Sequence, residues 1–310
     1  MKSPTTIVIG TRGSGLAIAQ TTWVKEQLEK CHPRLRFETK IIKTTGDKLQ
    51  KTRVAGPLPK GLFTKEIESA MLLGKIDLAV HSLKDMPVEE TSGLLLGAIP
   101  KRADYRDALI SRKETAVEHF GSSSTLVTNS PRRRHEIARL HPDFKWVAMR
   151  GNIDTRIRRF EETLEWSGLI LAVAGLERLR PPVDGLVITP IPTETILPAP
   201  GQGALAIQCR ADDGRTREIV TPMNHFATRL CVETERQFLA GLGGGCQMPL
   251  GTLALHSDGK IRFKARLYTD GGQLVEWDKS WLCNDAPAAA YALAAEWRSG
   301  TNCQTPPLAP

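Results

Sequence analysis

The sequence predicts an α/β protein of two successive domains, each built on a mostly parallel sheet, followed by a small α+β domain. Three observations carry this. Short apolar runs rich in β-branched residues alternate with segments whose apolar residues recur at helical spacing, the grammar of βαβ units. That alternation runs from the N-terminus to about residue 102 and restarts near Arg106. Beyond residue 221 it gives way to one amphipathic helix, strand-like runs separated by Asp-Gly turns, and an Ala-rich helix.

Thr6-Ile-Val-Ile-Gly10 reads as a buried strand, and Leu16 to Leu28 places Leu16, Ala19, Trp23, Val24 and Leu28 at helical spacing before Pro33 stops the helix. Leu35 to Ile42 reads as a strand, Thr64 to about Gly74 as a helix, and Ile76 to Val80 as a further buried strand. In the second domain the strands are Asp107 to Ser111 and Trp146 to Met149, with helices from Pro131 to Leu140 and from about Asn152 to Trp166. A Pro-rich stretch from Pro181 to Pro200 leads into the strand Gly201 to Cys209, whose return to the first sheet makes the first domain discontinuous. The expected domains are thus 1–102 with 200–220, then 103–199, then 221–310. The last contains a helix from Asn224 to Leu242, turns at Ser257-Asp-Gly259 and Asp270-Gly-Gly272, a helix from Ala286 to Trp297, and a loose tail from Thr301.

Of the 310 residues 41% are hydrophobic and 25% charged, ordinary globular composition, and the formal charge of +8 favours an anionic partner. Nucleic acid, a membrane surface and a small polyanion all satisfy that charge. Aromatic residues are only 5%, and no basic stretch is interleaved with them as a stacking platform for nucleic acid requires. No apolar run approaches the roughly 20 residues that span a bilayer, the longest being Gly168 to Leu176. The N-terminal apolar core is too short for a signal peptide, so a cytoplasmic location is expected. The six cysteines show neither metal-ligand spacing nor the density of a disulfide scaffold, so reduced thiols and no metal are expected.

Five arginines stand at strand-to-helix junctions: Arg12, Arg132, Arg133, Arg150 and Arg156. A single surface arginine is usually a solvated charge, but helix starts carry free N–H groups that favour anions, and five such positions point to an anion cleft. Ser130-Pro131 specifies one of these starts, as N-cap and first helical residue. Lys84 and Asp85 follow a buried strand, at the sheet edge where open α/β sheets bind ligands. Asp85 reads either as half of a surface ion pair or as a carboxylate that stabilises positive charge and moves a proton. His81 reads as a hydrogen-bonded structural residue. Cys246 sits in Gly241-Leu-Gly-Gly-Gly-Cys-Gln-Met-Pro-Leu-Gly251, where it is either a small buried hydrophobe or a thiol that a bulky group can approach. Gly201-Gln-Gly203 lacks the third glycine and the helix of a dinucleotide fingerprint.

Several motifs, in order, resemble those of the porphobilinogen deaminase family. They are Thr11-Arg-Gly-Ser14 with Leu16 and Gln20, Lys60-Gly-Leu-Phe63 with Lys65-Glu66, His81-Ser-Leu-Lys-Asp-Met-Pro87, Arg150-Gly-Asn-Ile-Asp-Thr-Arg156, Leu171-Ala-Val-Ala-Gly-Leu176, Leu197-Pro-Ala-Pro-Gly-Gln-Gly-Ala204 and Gly244-Gly-Cys-Gln-Met-Pro249. The resemblance covers about residues 7 to 252 and fits the tail only loosely.

It implies two doubly wound domains resembling type II periplasmic binding proteins with the active site between them, and a third domain presenting a cofactor thiol. Cys246 would carry dipyrromethane as a thioether. Asp85 would contact pyrrole N–H groups and stabilise the azafulvene cation formed as ammonia leaves. Lys84, Thr128, Ser130, Arg132, Arg133 and Arg178 would hold cofactor carboxylates, and Arg12, Ser14, Gln20, Phe63, Arg150 and Arg156 would hold the substrate. The implied activity is stepwise condensation of four porphobilinogens and hydrolysis to hydroxymethylbilane, by a monomer with no nucleic-acid or membrane partner. Two stretches depart from the family pattern: Thr128-Asn-Ser-Pro-Arg-Arg133, where the family has Thr-Ser-Ser-Leu-Arg-Arg, and Gly56-Pro-Leu-Pro59, where a lysine and glycines are usual. The alternatives are a non-catalytic binding protein for anionic solutes, which needs neither Cys246 nor Asp85, and a degraded paralogue of the same fold.

Overall fold

A computed structural model describes residues 6–49, 62–245, 248–269 and 272–300. Gly56–Pro59, Lys60, Cys246, the Asp270-Gly271 part of the second turn and the tail from Thr301 lie outside the described residues. Along the chain, β1 (Thr6–Thr11), α1 (Gly15–Cys31) and β2 (Arg36–Ile41) are followed by α2 (Thr45–Leu49), α3 (Lys65–Leu72), β3 (Leu78–Ser82) and β4 (Leu94–Ala98). Next come β5 (Asp107–Ser111), β6 (Thr125–Val127), α4 (Pro131–Ala138), β7 (Lys145–Val147), α5 (Ile153–Glu162), β8 (Gly168–Ala172), α6 (Val173–Leu179) and β9 (Val187–Pro190). The chain continues through β10 (Leu205–Arg210), α7 (Gly214–Val220), α8 (Phe226–Gly241), β11 (Leu250–Ser257), β12 (Lys260–Tyr268), β13 (Leu274–Leu282) and α9 (Ala286–Ser299). It divides into two compact units, Met1–Arg102 with Ala204–Arg229, and Ala103–Gly203 with Leu230–Pro310.

The first unit holds a five-stranded sheet in the order β2-β1-β3-β10-β4. Strand β1 is parallel to β2 and β3, while β10 is antiparallel to both of its neighbours. Four strands therefore share one direction and β10 opposes them, a mostly parallel sheet as the βαβ pattern predicts, with one reversed strand. No crossover helix delivers the chain into β10, so nothing imposes the parallel sense. Alternating side chains cover both faces of the sheet. Ile7, Ile9, Leu78, Val80 and Ile207 pack with Val24 and Leu28 of α1 on one face. Val8 and Ala79 pack with Ile67 and Met71 of α3 on the other.

The second unit repeats the device in the order β7-β6-β8-β5-β9, with β5 as the reversed strand. One face packs Ala108, Ile110, Leu169 and Leu171 against Ile157 and Phe160 of α5. The other packs Leu109, Leu126 and Ile170 against Ile137 of α4. Phe160 is fully buried, and its truncation to alanine would cost about 3–5 kcal/mol. Both units are thus doubly wound.

Helix α5 ends at Glu162, four residues short of the predicted Trp166. The carbonyls of Phe160, Thr163 and Trp166 all accept hydrogen bonds from the Arg112 guanidinium, which holds the chain in a turn there. The three C-terminal strands form an antiparallel sheet. Its first hairpin closes on Asp258 and Gly259, both with positive φ (50° and 71°), the conformation a two-residue type I′ turn demands. Phe238 of α8 packs against Phe263 and Trp277 of this sheet, with ring centroids 5.0 Å apart in each case. Among the described residues, no helix is long and apolar enough to cross a membrane.

Candidate active site

In the first unit, β3 ends at Ser82 and runs into a single tight turn, Leu83–Asp85, which sets Lys84 and Asp85 beyond the carboxyl end of the strand. Strand β1 ends at Thr11 alongside it, and Arg12 to Ser14 lead into α1. Arg12, Ser14, Gln20, Phe63, His81 and Asp85 line one pocket there. All five residues expected to meet substrate or chemistry in this part of the chain are therefore together. Ser14 Oγ caps α1 by accepting from the Ala17 N–H, and buried Gln20 donates through Nε2 to Ser82 Oγ at 2.9 Å. Asp85 is exposed at the pocket.

Arg12 lies 4.0 Å over the Phe63 ring and is paired with Asp47 at 2.6 Å. Burial opposes charge on Asp47, but hydrogen bonds from Arg12 and Thr44 hold its carboxyl below the usual range. The guanidinium thus already donates to a carboxylate, with Nε and an Nη both reaching the single oxygen Asp47 Oδ1. His81 is buried, which pushes its pKa down to about 4, with Arg12 adding to the effect and the nearby Gln208 amide opposing it. His81 Nε2 and Gln208 Oε1 are both buried without a hydrogen-bond partner. Burial keeps the imidazole neutral.

In the second unit, Ser130 Oγ accepts from the Arg133 N–H as N-cap of α4, and Pro131 takes the first helical position as predicted. The departure at Pro131 therefore suits a helix start, and Asn129 is exposed beside it. Arg132 and Arg133 are not solvated charges: they are 3% and 6% exposed. Both pair with the fully buried Asp107, at 2.7 and 2.6 Å. Burial opposes charge on Asp107, yet the two guanidinium groups hold its carboxyl far below the usual range. Thr128 is buried at the end of β6, with Oγ1 accepting from the Ser130 N–H. Gln202 donates to Asp107 at 3.0 Å, and Arg178 donates to the adjacent Gly203 carbonyl at 2.7 Å. Burial pulls the Arg178 pKa down to about 10.

Thr128, Ser130, Arg132, Arg133 and Arg178 thus converge through Asp107 and the Gly201–Gly203 turn. That turn requires its glycine: Gly203 has φ +87° and a Cβ there would lie 2.8 Å from the Ala103 carbonyl oxygen. Arg150 is exposed just before α5, and Arg156 Nε donates to the Gly151 carbonyl at 2.8 Å in the same helix start. Of the glycines before Cys246, Gly245 is open, whereas a Cβ on Gly244 would lie 2.5 Å from the Met248 methyl and one on Gly243 2.5 Å from an Arg298 Nη, so the loop is open at one glycine and packed at the other two. Among the described residues, no group of three or more His, Cys, Asp or Glu could hold a metal ion.

Sequence reasoning did not single out Asp47, Asp107 or Gln202. Asp107 gave a signal, a carboxylate opening an otherwise apolar buried strand, since such a charge persists only when paired. Asp47 gave none.

The cluster around Arg132 suits a ligand rich in carboxylates. Two buried guanidinium groups face one carboxylate, and Arg132 Nε is buried without a partner. Residues 7–218 match the model for the porphobilinogen deaminase dipyrromethane cofactor-binding domain, and residues 229–295 match that for the porphobilinogen deaminase C-terminal domain. The chain belongs to the porphobilinogen deaminase family. The porphobilinogen deaminase of Chloroherpeton thalassium is 44% identical over 257 residues, which cover 83% of this chain and 81% of that one. That of Desulforudis audaxviator is 41% identical over 289 residues, 93% of each chain. The cofactor-domain match spans every site residue of both units described above, and the match to the porphobilinogen deaminase C-terminal domain includes Cys246.

Proposed function

We propose that this chain is a hydroxymethylbilane synthase, a transferase that condenses four porphobilinogens with loss of ammonia on a dipyrromethane primer and hydrolyses the product to hydroxymethylbilane. The observation that carries the reading is the pocket at the end of β3. It sets the guanidinium of Arg12 and the exposed carboxylate of Asp85 around one space. Porphobilinogen bears two carboxylates, a pyrrole N–H and an aminomethyl group, so it presents partners for both charges.

Arg12, Ser14, Gln20 and Phe63 bind and orient the incoming ring, with Arg12 exchanging Asp47 for a substrate carboxylate. Arg150 and Arg156 hold further carboxylates as they accumulate, a task suited to planar bidentate donors. Asp85 accepts hydrogen bonds from pyrrole N–H groups and stabilises the positive charge that develops on the substrate ring when its aminomethyl nitrogen departs as ammonia. The same carboxylate takes the proton released when the new carbon–carbon bond forms. His81, neutral and buried, adds no competing positive charge beside Asp85. Lys84, Thr128, Ser130, Arg132, Arg133 and Arg178 hold cofactor carboxylates. Bound as a thioether on Cys246, dipyrromethane supplies the pyrrole α-carbon on which the chain grows. The same reading makes the protein a cytoplasmic monomer whose partner is the small substrate alone, with neither nucleic acid nor membrane.

Intact mass tests this directly. Protein exposed to porphobilinogen should carry a dipyrrole adduct that Cys246→Ser lacks. A wild-type mass equal to the bare chain after confirmed exposure favours a non-catalytic binder of anionic solutes.

A further inference from the structure

Asp107 does more in the second unit than fill a strand position. It opens β5, whose five residues are all buried, and it is itself fully buried. A carboxylate there is costly to desolvate and persists only with close partners. Its oxygens accept from Arg132 Nη1, from Arg133 Nε and Nη2, and from Gln202 Nε2. Gln202 also donates to the Tyr105 carbonyl at 2.8 Å, which fixes the approach of its amide.

The charges in this cluster do not balance. Among the groups shielded from water, Arg132, Arg133 and the half-buried Arg266 face only two carboxylates, Asp107 and Glu136; Arg266 pairs with Glu136 at 3.1 Å, and its other partner, Glu276 at 2.8 Å, is exposed to solvent. One positive charge remains where water screens it poorly. The helix start adds to the imbalance, since Arg132 and Arg133 lie in the first turn of α4, whose free N–H end itself favours an anion. Arg132 Nε, buried and without a hydrogen-bond partner, is a donor waiting for an acceptor.

We propose that Asp107 is a positioning residue that sets the capacity of this site: it orients both guanidinium planes and cancels one of their two charges, leaving the site to take a single further carboxylate from the cofactor. The inference rests on the reading that Arg132 and Arg133 hold dipyrromethane. Asp107 itself touches neither cofactor nor substrate. It acts by making the arginine pair rigid and singly charged, so that one more carboxylate neutralises it and a second is repelled.

The test measures how fast cofactor-free protein gains its adduct from preassembled hydroxymethylbilane, by intact mass, alongside thermal unfolding of the unloaded protein. Arg133→Gln makes the cluster neutral and should slow loading about tenfold or more. Asp107→Asn combined with Arg133→Gln restores one surplus positive charge and should load at least about threefold faster than Arg133→Gln alone. A purely structural Asp107 predicts the opposite order, so a double variant that loads no faster overturns the proposal. Should the double variant not fold, Asp107→Glu keeps the charge but displaces the carboxylate by one methylene. Slower loading at an unchanged melting temperature then supports the proposal, and loading at the wild-type rate overturns it. Wild-type protein that never gains the adduct overturns the cofactor reading itself, a result recognisable before any variant is made.

Discussion

His81 gives a prediction whose size follows from its surroundings. Its folded pKa is about 4 against 6.5 for an ordinary histidine, with burial as the main cause. As pH falls, the unfolded chain takes up this proton first. The stability that a neutral His81 represents is therefore complete above pH 6.5, erodes as pH falls from there to about 4, and changes no further below. Integrating the linkage relation over that window gives a loss of about 2 kcal/mol between pH 7 and pH 5, and about 3 kcal/mol by pH 4. His81→Gln keeps a polar side chain at the position but cannot titrate. Urea unfolding of both proteins at pH 7, 6 and 5 isolates the effect, because the remaining titrating groups cancel in the difference, provided the urea slopes agree. The wild type should lose about 2 kcal/mol more than the variant between pH 7 and 5. Parallel pH dependences, within about 0.5 kcal/mol, would refute the assignment of a neutral, desolvated imidazole.

Further outcomes follow from the two units. Asp85→Asn should keep the Cys246 adduct when supplied with preassembled bilane yet lose about 10²–10⁴-fold in single-turnover addition of porphobilinogen; a rate within about threefold of wild type leaves no catalytic role for the carboxylate. Arg132→Leu or Arg133→Leu should impair cofactor assembly, whereas Arg150→Leu or Arg156→Leu should keep the adduct and stall chain growth, each lost pair costing about 2–5 kcal/mol of binding. Mass spectra of the four variants separate these cases, and normal loading and turnover in all four makes the arginines ordinary charges. Asp47→Asn frees Arg12 from its internal partner, so KM for porphobilinogen should fall by about two- to fivefold. An unchanged KM shows that the two carboxylates do not compete for Arg12.

Much of this protein was legible in its residues because the signals are local. The alternation of apolar faces identified the strands and helices at Arg12, Lys84, Asp85, Arg132 and Arg133, but not the short β6 before Thr128 or the seven-residue α6 that carries Arg178. Ser130-Pro131 specified the start of α4, and Asp258-Gly259 specified a hairpin whose positive φ values few other pairs accept. Lys84 and Asp85 could be set at the sheet edge because a buried strand directly precedes them. The end of α5 was missed because its stop signal is Arg112, far away in the chain, capturing carbonyls at 160, 163 and 166.

The sequence by itself determined the fold class, the longer helices and strands, the family and the chemical types gathered for the reaction, since periodicity, caps and ordered motifs are properties of neighbouring residues. Only the tertiary structure decided which charges meet. Arg12 is joined to Asp47 across 35 positions, and Arg132 to Asp107 across 25. The reversal of β10, which brings Gln208 beside His81, likewise depends on a strand more than a hundred residues away. Such pairings have no period and no spacing to read, because they arise only when separate strands and helices fold onto one sheet edge and must satisfy each other's buried charge.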